Sequence, residues 1–206
     1  MQAYMKSAMP YHGVPMPIVR TLCKEAFRDL VFESSADWEQ EVGAIWVGAR
    51  FREERYVAVA LTGVRAARSF QTPAALPLYE ELIVSGAWWD LVDELATNRV
   101  GPILRAHPRE VAPIMRRWSR SDDVWKRRTS IICQARSRAR TDVALLHDCI
   151  EPSIGSTEFF LRKAIGWALR EYAHVDADAV SRYVRQNEAR LSGLSKREAL
   201  KHVAAH

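Results

Sequence analysis

The sequence predicts an all-α protein, and three observations carry that expectation. Apolar residues recur at helical spacing through almost the whole chain after residue 17. Nine glycines and nine prolines among 206 residues are too few for the many turns of a sandwich or barrel. A short motif also returns every thirty-five residues, the mark of stacked helical pairs. Alternating strand patterns are absent.

The elements follow in order. Ile18, Leu22, Ala26 and Leu30 fall on one face of a first helix, Trp38, Val42, Ile45 and Trp46 on a second. Tyr56, Val59, Ala60, Val64 and Ala67 mark a third. Prolines 73, 77, 102, 108, 113 and 152 lie between the periodic stretches, where proline starts or stops helices. Asp122 and Asp123 read as a helix start, with Trp125 as a packing anchor just inside it. The segment from Phe159 to Tyr172 is one long aromatic helix with Phe160, Ile165 and Leu169 as core fillers. Gly166 inside it costs about 1 kcal/mol against alanine, so it predicts the close approach of a neighbour.

The repeat fixes a register. Arg127-Arg128-Thr129-Ser130-Ile131 returns as Arg162-Lys163-Ala164-Ile165 and again as Arg197-Glu198-Ala199-Leu200. Trp125, Phe160 and Ser195 precede the three copies in phase, and one step back from Arg128 lands on Asp93. The expected architecture is a single domain, 1–206, built as an α-solenoid of HEAT-like repeats with a concave, basic groove. Asp93, Arg128, Lys163 and Glu198 then occupy equivalent positions along that groove. Trp89 lies four residues before Asp93 and Trp167 four after Lys163, so each shares a helix face with its partner. A carboxylate among such cations is expected to stay ionised at neutral pH.

Charge points to a polyanion. The chain carries +5 overall, but between Arg99 and Arg140 twelve basic residues face only Glu110, Asp122 and Asp123, a local +9. Twenty-four of the thirty basic residues are arginine, whose fork suits phosphate. A GC-rich genome explains that ratio equally well, but not the clustering. Arg116, Arg117, Arg120, Arg136, Arg138 and Arg140 are either phosphate contacts or an ordinary wet helix face. Arg127 and Arg128 point in different directions, so one can face the groove while the other is solvated. In Trp88-Trp89-Asp90-Leu91-Val92-Asp93, adjacent indoles diverge by about 100°, which assigns Trp88 to packing and Trp89 with Asp93 to the groove. A structural indole beside a solvated acid is the competing reading.

Other classes lose support. Cys23, Cys133 and Cys149 have no disulfide or metal spacing and read as buried thiols in a reducing compartment. The six histidines form no metal-ligand pattern, and no P-loop, GxGxxG or GxSxG is present, so no metal or cofactor is expected. No apolar run approaches the roughly 18 residues of a membrane span and no signal core is visible. The expected location is cytoplasmic, on the nucleoid when bound to DNA.

A set of motifs running in order through nearly the whole chain carries a family likeness. They are Ala3-Tyr4-Met5-Lys6 with Gly13, Glu81-Leu82-Ile83, Trp88-Trp89-Asp90 with Val92-Asp93, Trp125 with Arg128, and Glu158-Phe159-Phe160. Lys163-Ala164-Ile165-Gly166-Trp167, Leu169-Arg170-Glu171-Tyr172 and Leu194-Ser195-Lys196-Arg197-Glu198-Ala199 complete the set. The chain resembles the DNA alkylation repair (AlkD-like) family of HEAT-repeat DNA glycosylases. That resemblance implies a monofunctional glycosylase that removes cationic N3- and N7-alkylated purines, such as 3-methyladenine and 7-methylguanine, from double-stranded DNA. It implies Asp93 as catalytic carboxylate, Trp89 and Trp167 flanking the lesion, Arg128 supporting the same site and Tyr4 as a lesion-side aromatic. Lys163 and Arg170 join the DNA-binding set. It further implies a monomer with no obligate protein partner. Family members carry a helix before the Tyr4 segment, whereas this chain begins almost at it, and Tyr11 to Pro17 departs from the family pattern.

Two rivals stand beside this reading. A non-catalytic HEAT-repeat protein could bind DNA structure or damage through the same groove. A protein-interaction scaffold is the third, and it predicts a mixed or acidic groove rather than a +9 window.

Overall fold

The structure, a computed structural model, describes Met5 and residues 7–203. It is all-helical, with no strand among the described residues. None of its helices is long and apolar enough to cross a membrane. The chain divides into two compact units at Leu78/Tyr79.

The first unit holds α1 (Met16–Ala26), α2 (Ser35–Gly48) and α3 (Arg52–Leu61), followed by short 3-10 turns at Arg65–Phe70 and Pro73–Ala75. Ser34 caps α2 by accepting the Asp37 N–H at 3.1 Å. Both α1 and α2 pack on α3, around Trp38, Val42, Trp46, Val59 and Leu61. The face that α1 buries differs from the expected one. Val19 and Cys23 point inward, while Ile18 and Leu22 are 50% and 55% exposed, and Leu30 lies beyond the helix end. Ile18 and Val19 are adjacent and both apolar, so helical spacing alone does not say which of the two stripes meets the core. The segment before α1 is strapped to α3. Buried Glu53 accepts the backbone N–H groups of His12, Gly13 and Val14 at 2.9–3.1 Å, and Gly13 supplies the positive φ of 82° that this turn requires.

α4 (Leu76–Gly86) leads into the second unit. There α5 (Trp89–Leu95), a π-helical stretch (Ala96–Val100) and α6 (Gly101–Ala106) run without a break. Pro102 has no N–H to give the preceding turn, and the freed carbonyl of Asn98 accepts Arg99 Nη1 at 2.9 Å instead. Next come α7 (Pro108–Trp118), α8 (Val124–Ile132), α9 (Val143–Ile150), α10 (Phe159–Ala173), α11 (Ala177–Gln186) and α12 (Gly193–Ala199).

These helices stack as repeats. One row runs α5, α8, α10, α12, each packed on the next. A second row begins with α7 on α9, and stacked His147 and Tyr183, 4.2 Å apart, link α9 to α11. The core between them is filled by residues such as Leu95, Ile103, Met115, Trp118, Ile131 and Ile165, all essentially inaccessible. Each such side chain contributes about 1.5–3 kcal/mol. The predicted close approach at Gly166 is present: a Cβ there would meet Glu198 Cβ at 2.5 Å and the Ser195 carbonyl at 3.0 Å. Ser195 Oγ, in turn, donates to the Arg162 carbonyl at 2.9 Å, pinning α12 to α10. All three cysteines are buried and unpaired; burial pushes the Cys149 thiol up to about 12 and raises the other two.

Candidate active site

The site grows from the starts of the first-row helices. At the turn into α5, Ala87 takes a left-handed conformation, φ 41°, which costs a non-glycine residue about 1–2 kcal/mol. Extended Trp88 follows as N-cap, so Trp89 opens the helix. Asp123 caps α8 by accepting the Trp125 and Lys126 N–H groups at 2.9 and 2.8 Å, and Glu158 caps α10. These starts bring Trp88, Trp125 and Phe160 into one cluster, with ring centroids 4.8–6.0 Å apart. Trp125 and Phe160 are thirty-five residues apart, so this contact is the repeat made physical.

One turn further along lies the central pair. Arg128 Nε donates to Asp93 Oδ1 at 2.7 Å and Nη2 to Oδ2 at 2.8 Å, a two-pronged ion pair across thirty-five residues. The remaining nitrogen, Nη1, donates to the Phe160 carbonyl at 2.6 Å. The guanidinium thus joins three helices and is only 6% exposed at its side chain; Asp93 keeps 20%. Thr97 Oγ1, from the π-helical stretch, holds the Asp93 carbonyl at 2.8 Å. Burial raises the Asp93 carboxyl above the usual aspartate range, and the hydrogen bonds and charge of Arg128 oppose that rise without cancelling it. Desolvation therefore outweighs the neighbouring cation in setting the direction of the shift.

Lys163, Trp167 and Arg170 sit at i, i+4 and i+7 on α10 and share a face. Glu198 on α12 takes both cations, Lys163 Nζ at 3.1 Å and Arg170 Nη1 at 2.7 Å. Lys163 draws the Glu198 carboxyl below its ordinary range. The Trp167 indole N–H donates to Glu171 Oε1 at 3.1 Å. Trp89 is 37% exposed. Among the described residues no hydrogen bond or ring contact ties it to Asp93 or to Trp167. Tyr4 lies outside the described residues.

Sequence reasoning reached the Asp93–Arg128 and Lys163–Glu198 rungs through the thirty-five-residue register, but it left Glu198 out of the site. Glu171 and the Phe160 carbonyl were missed as well. A backbone carbonyl leaves no compositional trace, whereas Glu198 was one register step from Lys163.

The basic window is largely occupied with internal partners. Arg116 Nε pairs with Asp148 at 2.7 Å, Lys126 pairs with Glu80, and Arg105 reaches Ser137 Oγ at 3.3 Å. Of Arg127 and Arg128, one of which was expected in solvent, neither is free: Arg127 binds Ser153 Oγ and the Pro152 carbonyl. Arg117, Arg136, Arg138 and Arg140 remain exposed.

The result is an all-helical repeat protein with a desolvated carboxylate locked to a guanidinium, and a second rung in which Glu198 holds Lys163 and Arg170. The chain matches the family described as DNA alkylation repair enzyme over residues 1–203 and belongs to it. Its role is therefore that of an enzyme in DNA alkylation repair. It is similar in structure to a "Predicted DNA alkylation repair enzyme from Enterococcus faecalis", with 28% identity and a TM-score of 0.88 over 100% of this chain and 94% of that one. The smu.31 protein of Streptococcus mutans UA159 shares the fold at 14% identity and a TM-score of 0.67, over 92% and 93% of the two chains. No curated protein matches the chain.

Proposed function

We propose that this protein is a monofunctional DNA glycosylase that hydrolyses the N-glycosidic bond of cationic N3- and N7-alkylated purines in duplex DNA. The observation that carries the reading is Asp93: a carboxylate still one-fifth exposed, fixed by two hydrogen bonds from Arg128, in a chain of the alkylation repair family. Alkylation at N7 or N3 makes the purine a cation and a good leaving group, so no general acid has to protonate it. The C1′–N bond breaks with its electron pair going to the purine, which leaves neutral. Positive charge develops on the deoxyribose, as in other glycosyl transfers. The Asp93 carboxylate stabilises that charge, and takes the proton of the water that forms the new C1′–O bond. Faces of Trp89 and Trp167 favour a cation by about 0.5–2 kcal/mol each, which selects charged lesions over neutral bases. Lys163 and Arg170 contact phosphate beside them, in the concave groove of a HEAT-like solenoid acting as a monomer. Tyr4 belongs to the lesion side of the same site. The work is cytoplasmic, on the nucleoid.

One observation favours a second reading. Both Asp93 oxygens are engaged by Arg128, which is also how a purely structural pair looks, and a non-catalytic protein binding damaged DNA would keep it. Incubation with a duplex carrying a single 7-methylguanine, with free base followed by chromatography, separates the two. Release above the spontaneous rate that is lost in Asp93→Asn supports the glycosylase. Duplex binding without release leaves the binder.

A further inference from the structure

A cleft of about 420 Å3 opens in the first unit, far in sequence from Asp93. Arg20, Lys24 and Arg28 line one wall and Arg65 the other, with Cys23 and Phe27 between them, and no acidic side chain takes part. Arg20 and Lys24 lie four residues apart on one face of α1, and Arg28 follows in the turn just past its end. All four are exposed, and none is paired with a carboxylate among the described residues. Glu25 lies one residue past Lys24 on α1, turned away by about 100°, and neither it nor Asp29 lines the cleft. Like charges four apart on a helix repel by about 0.2–0.5 kcal/mol per pair. The helix dipole offsets some of this for the residues near the α1 C-terminus, but it accounts for neither Arg20 nor Arg65. Burial raises the Cys23 thiol, so it brings no negative charge to the cleft.

We propose that this cleft is a second anion site, one that binds a run of backbone phosphates on a nucleic acid strand. Arg20 and Lys24 are about 6 Å apart along the helix and Arg28 follows beyond its end, with Arg65 on the other wall, an array too wide for a single phosphate and suited to several in succession. The choice of DNA over another polyphosphate rests on the function proposed above; the cationic cleft itself does not.

The test uses the full-length protein and an undamaged, labelled duplex, with affinity measured across a potassium chloride series. Arg20→Ala/Arg28→Ala is compared with Arg182→Ala/Arg185→Ala, which removes the same charge from exposed positions on α11. Each phosphate that the protein no longer neutralises lowers the slope of log affinity against log salt by about 0.9, so the cleft variant is expected to lose about 1.8 and the control little. An unchanged slope, an equal drop in the control, or no duplex binding by the unaltered protein overturns the proposal. So does tripolyphosphate that displaces the duplex at equal phosphate concentration, since it assigns the cleft to a small polyanion. Base release on the same preparations keeps the two ideas apart. Protein that releases 7-methylguanine but shows no slope change keeps the glycosylase and loses the cleft. Protein that releases none, yet loses slope in the cleft variant, does the reverse.

Discussion

The row formed by Asp93, Arg128, Lys163 and Glu198 and the run of Arg20, Lys24 and Arg28 along and just past α1 are both regularly spaced charges, but they use them in opposite ways. In the row, each cation has a carboxylate thirty-five residues away, one repeat over. Along α1 and into the turn after it the cations follow one another every four residues and have no carboxylate partner among the described residues. Spacing by a repeat brings a partner helix, and so burial and pairing; spacing by a helical turn brings only neighbours of the same sign. Charge counted in a window therefore says little about charge available to a ligand. The +9 stretch spends much of its arginine on Asp93, Asp148 and Ser153, while Arg20, Lys24 and Arg28, on and just past α1, have no carboxylate partner among the described residues.

The largest effect that tests this contrast is chemical. Asp93→Asn keeps the shape of the pair but removes the negative charge, and base release is expected to fall by about 10²–10³-fold. The salt dependence of duplex binding should stay close to that of the unaltered protein. Single-turnover assays with a saturating excess of enzyme read the first, and the salt series the second. The pH profile carries a related expectation. Catalysis needs the carboxylate, and burial raises its pKa, so activity should fall on the acid side at a midpoint above the ordinary aspartate value of about 3.9. The same shift means that the folded protein holds this proton more tightly than the unfolded chain does. The group thus favours folding below that ordinary value and loses this contribution as pH rises through the raised one. An acid limb at or below the ordinary value would assign the lost activity to another group.

Stability comes next. Arg128→Ala strands Asp93 and the Phe160 carbonyl together, and breaking a buried pair from one side costs about 3–5 kcal/mol. Urea denaturation measures it. A loss under about 1 kcal/mol would mean that the pair is as weak as a surface salt bridge, and the distinction between the two regions would fail. Gly166→Ala is smaller. The added Cβ collides with Glu198 Cβ and the Ser195 carbonyl, an overpacking cost of about 1–3 kcal/mol that the better helix propensity of alanine offsets by about 1. A net loss of up to about 2 kcal/mol is expected in the same denaturation assay, whereas a gain would mean that α12 gives way easily.

What the sequence made legible divides along the same line. The thirty-five-residue period was visible, and the structure turns it into contacts at Asp93–Arg128, Trp125–Phe160 and Lys163–Glu198. Gly166 was legible because only a close neighbour justifies a glycine there. Three things were not. The buried face of α1 escaped because Ile18 and Val19 offer two apolar stripes one residue apart. The direction of the Asp93 shift escaped because the repeat register brings Arg128 to Asp93 but does not show how far the pair is buried. The cationic cleft escaped because Glu25 and Asp29 nearly balance the charge of residues 20–29 in composition, and only the fold shows that neither of them lines the cleft with Arg20, Lys24 and Arg28.

Glu198→Gln sharpens the comparison with the smallest expected effect. Glutamine keeps the Cβ that packs on Gly166 and much of the shape, but it leaves Lys163 and Arg170 without their carboxylate. Partly exposed pairs are worth about 0.2–1 kcal/mol each, so the loss of stability at neutral pH should be of that order. Lys163 lowers the Glu198 pKa, which means that its contribution is complete above the ordinary glutamate value of about 4.3 and fades as pH falls through the lowered one. The variant and the unaltered protein should therefore converge in stability on the acid side. The freed cations would then stand as those of α1 do, with no carboxylate to share. If they face the duplex, the salt slope of binding steepens by up to about 0.9 for each further phosphate neutralised. A slope that stays put would remove Lys163 and Arg170 from the DNA-binding surface, leaving their rung a purely structural device that holds α12 against α10.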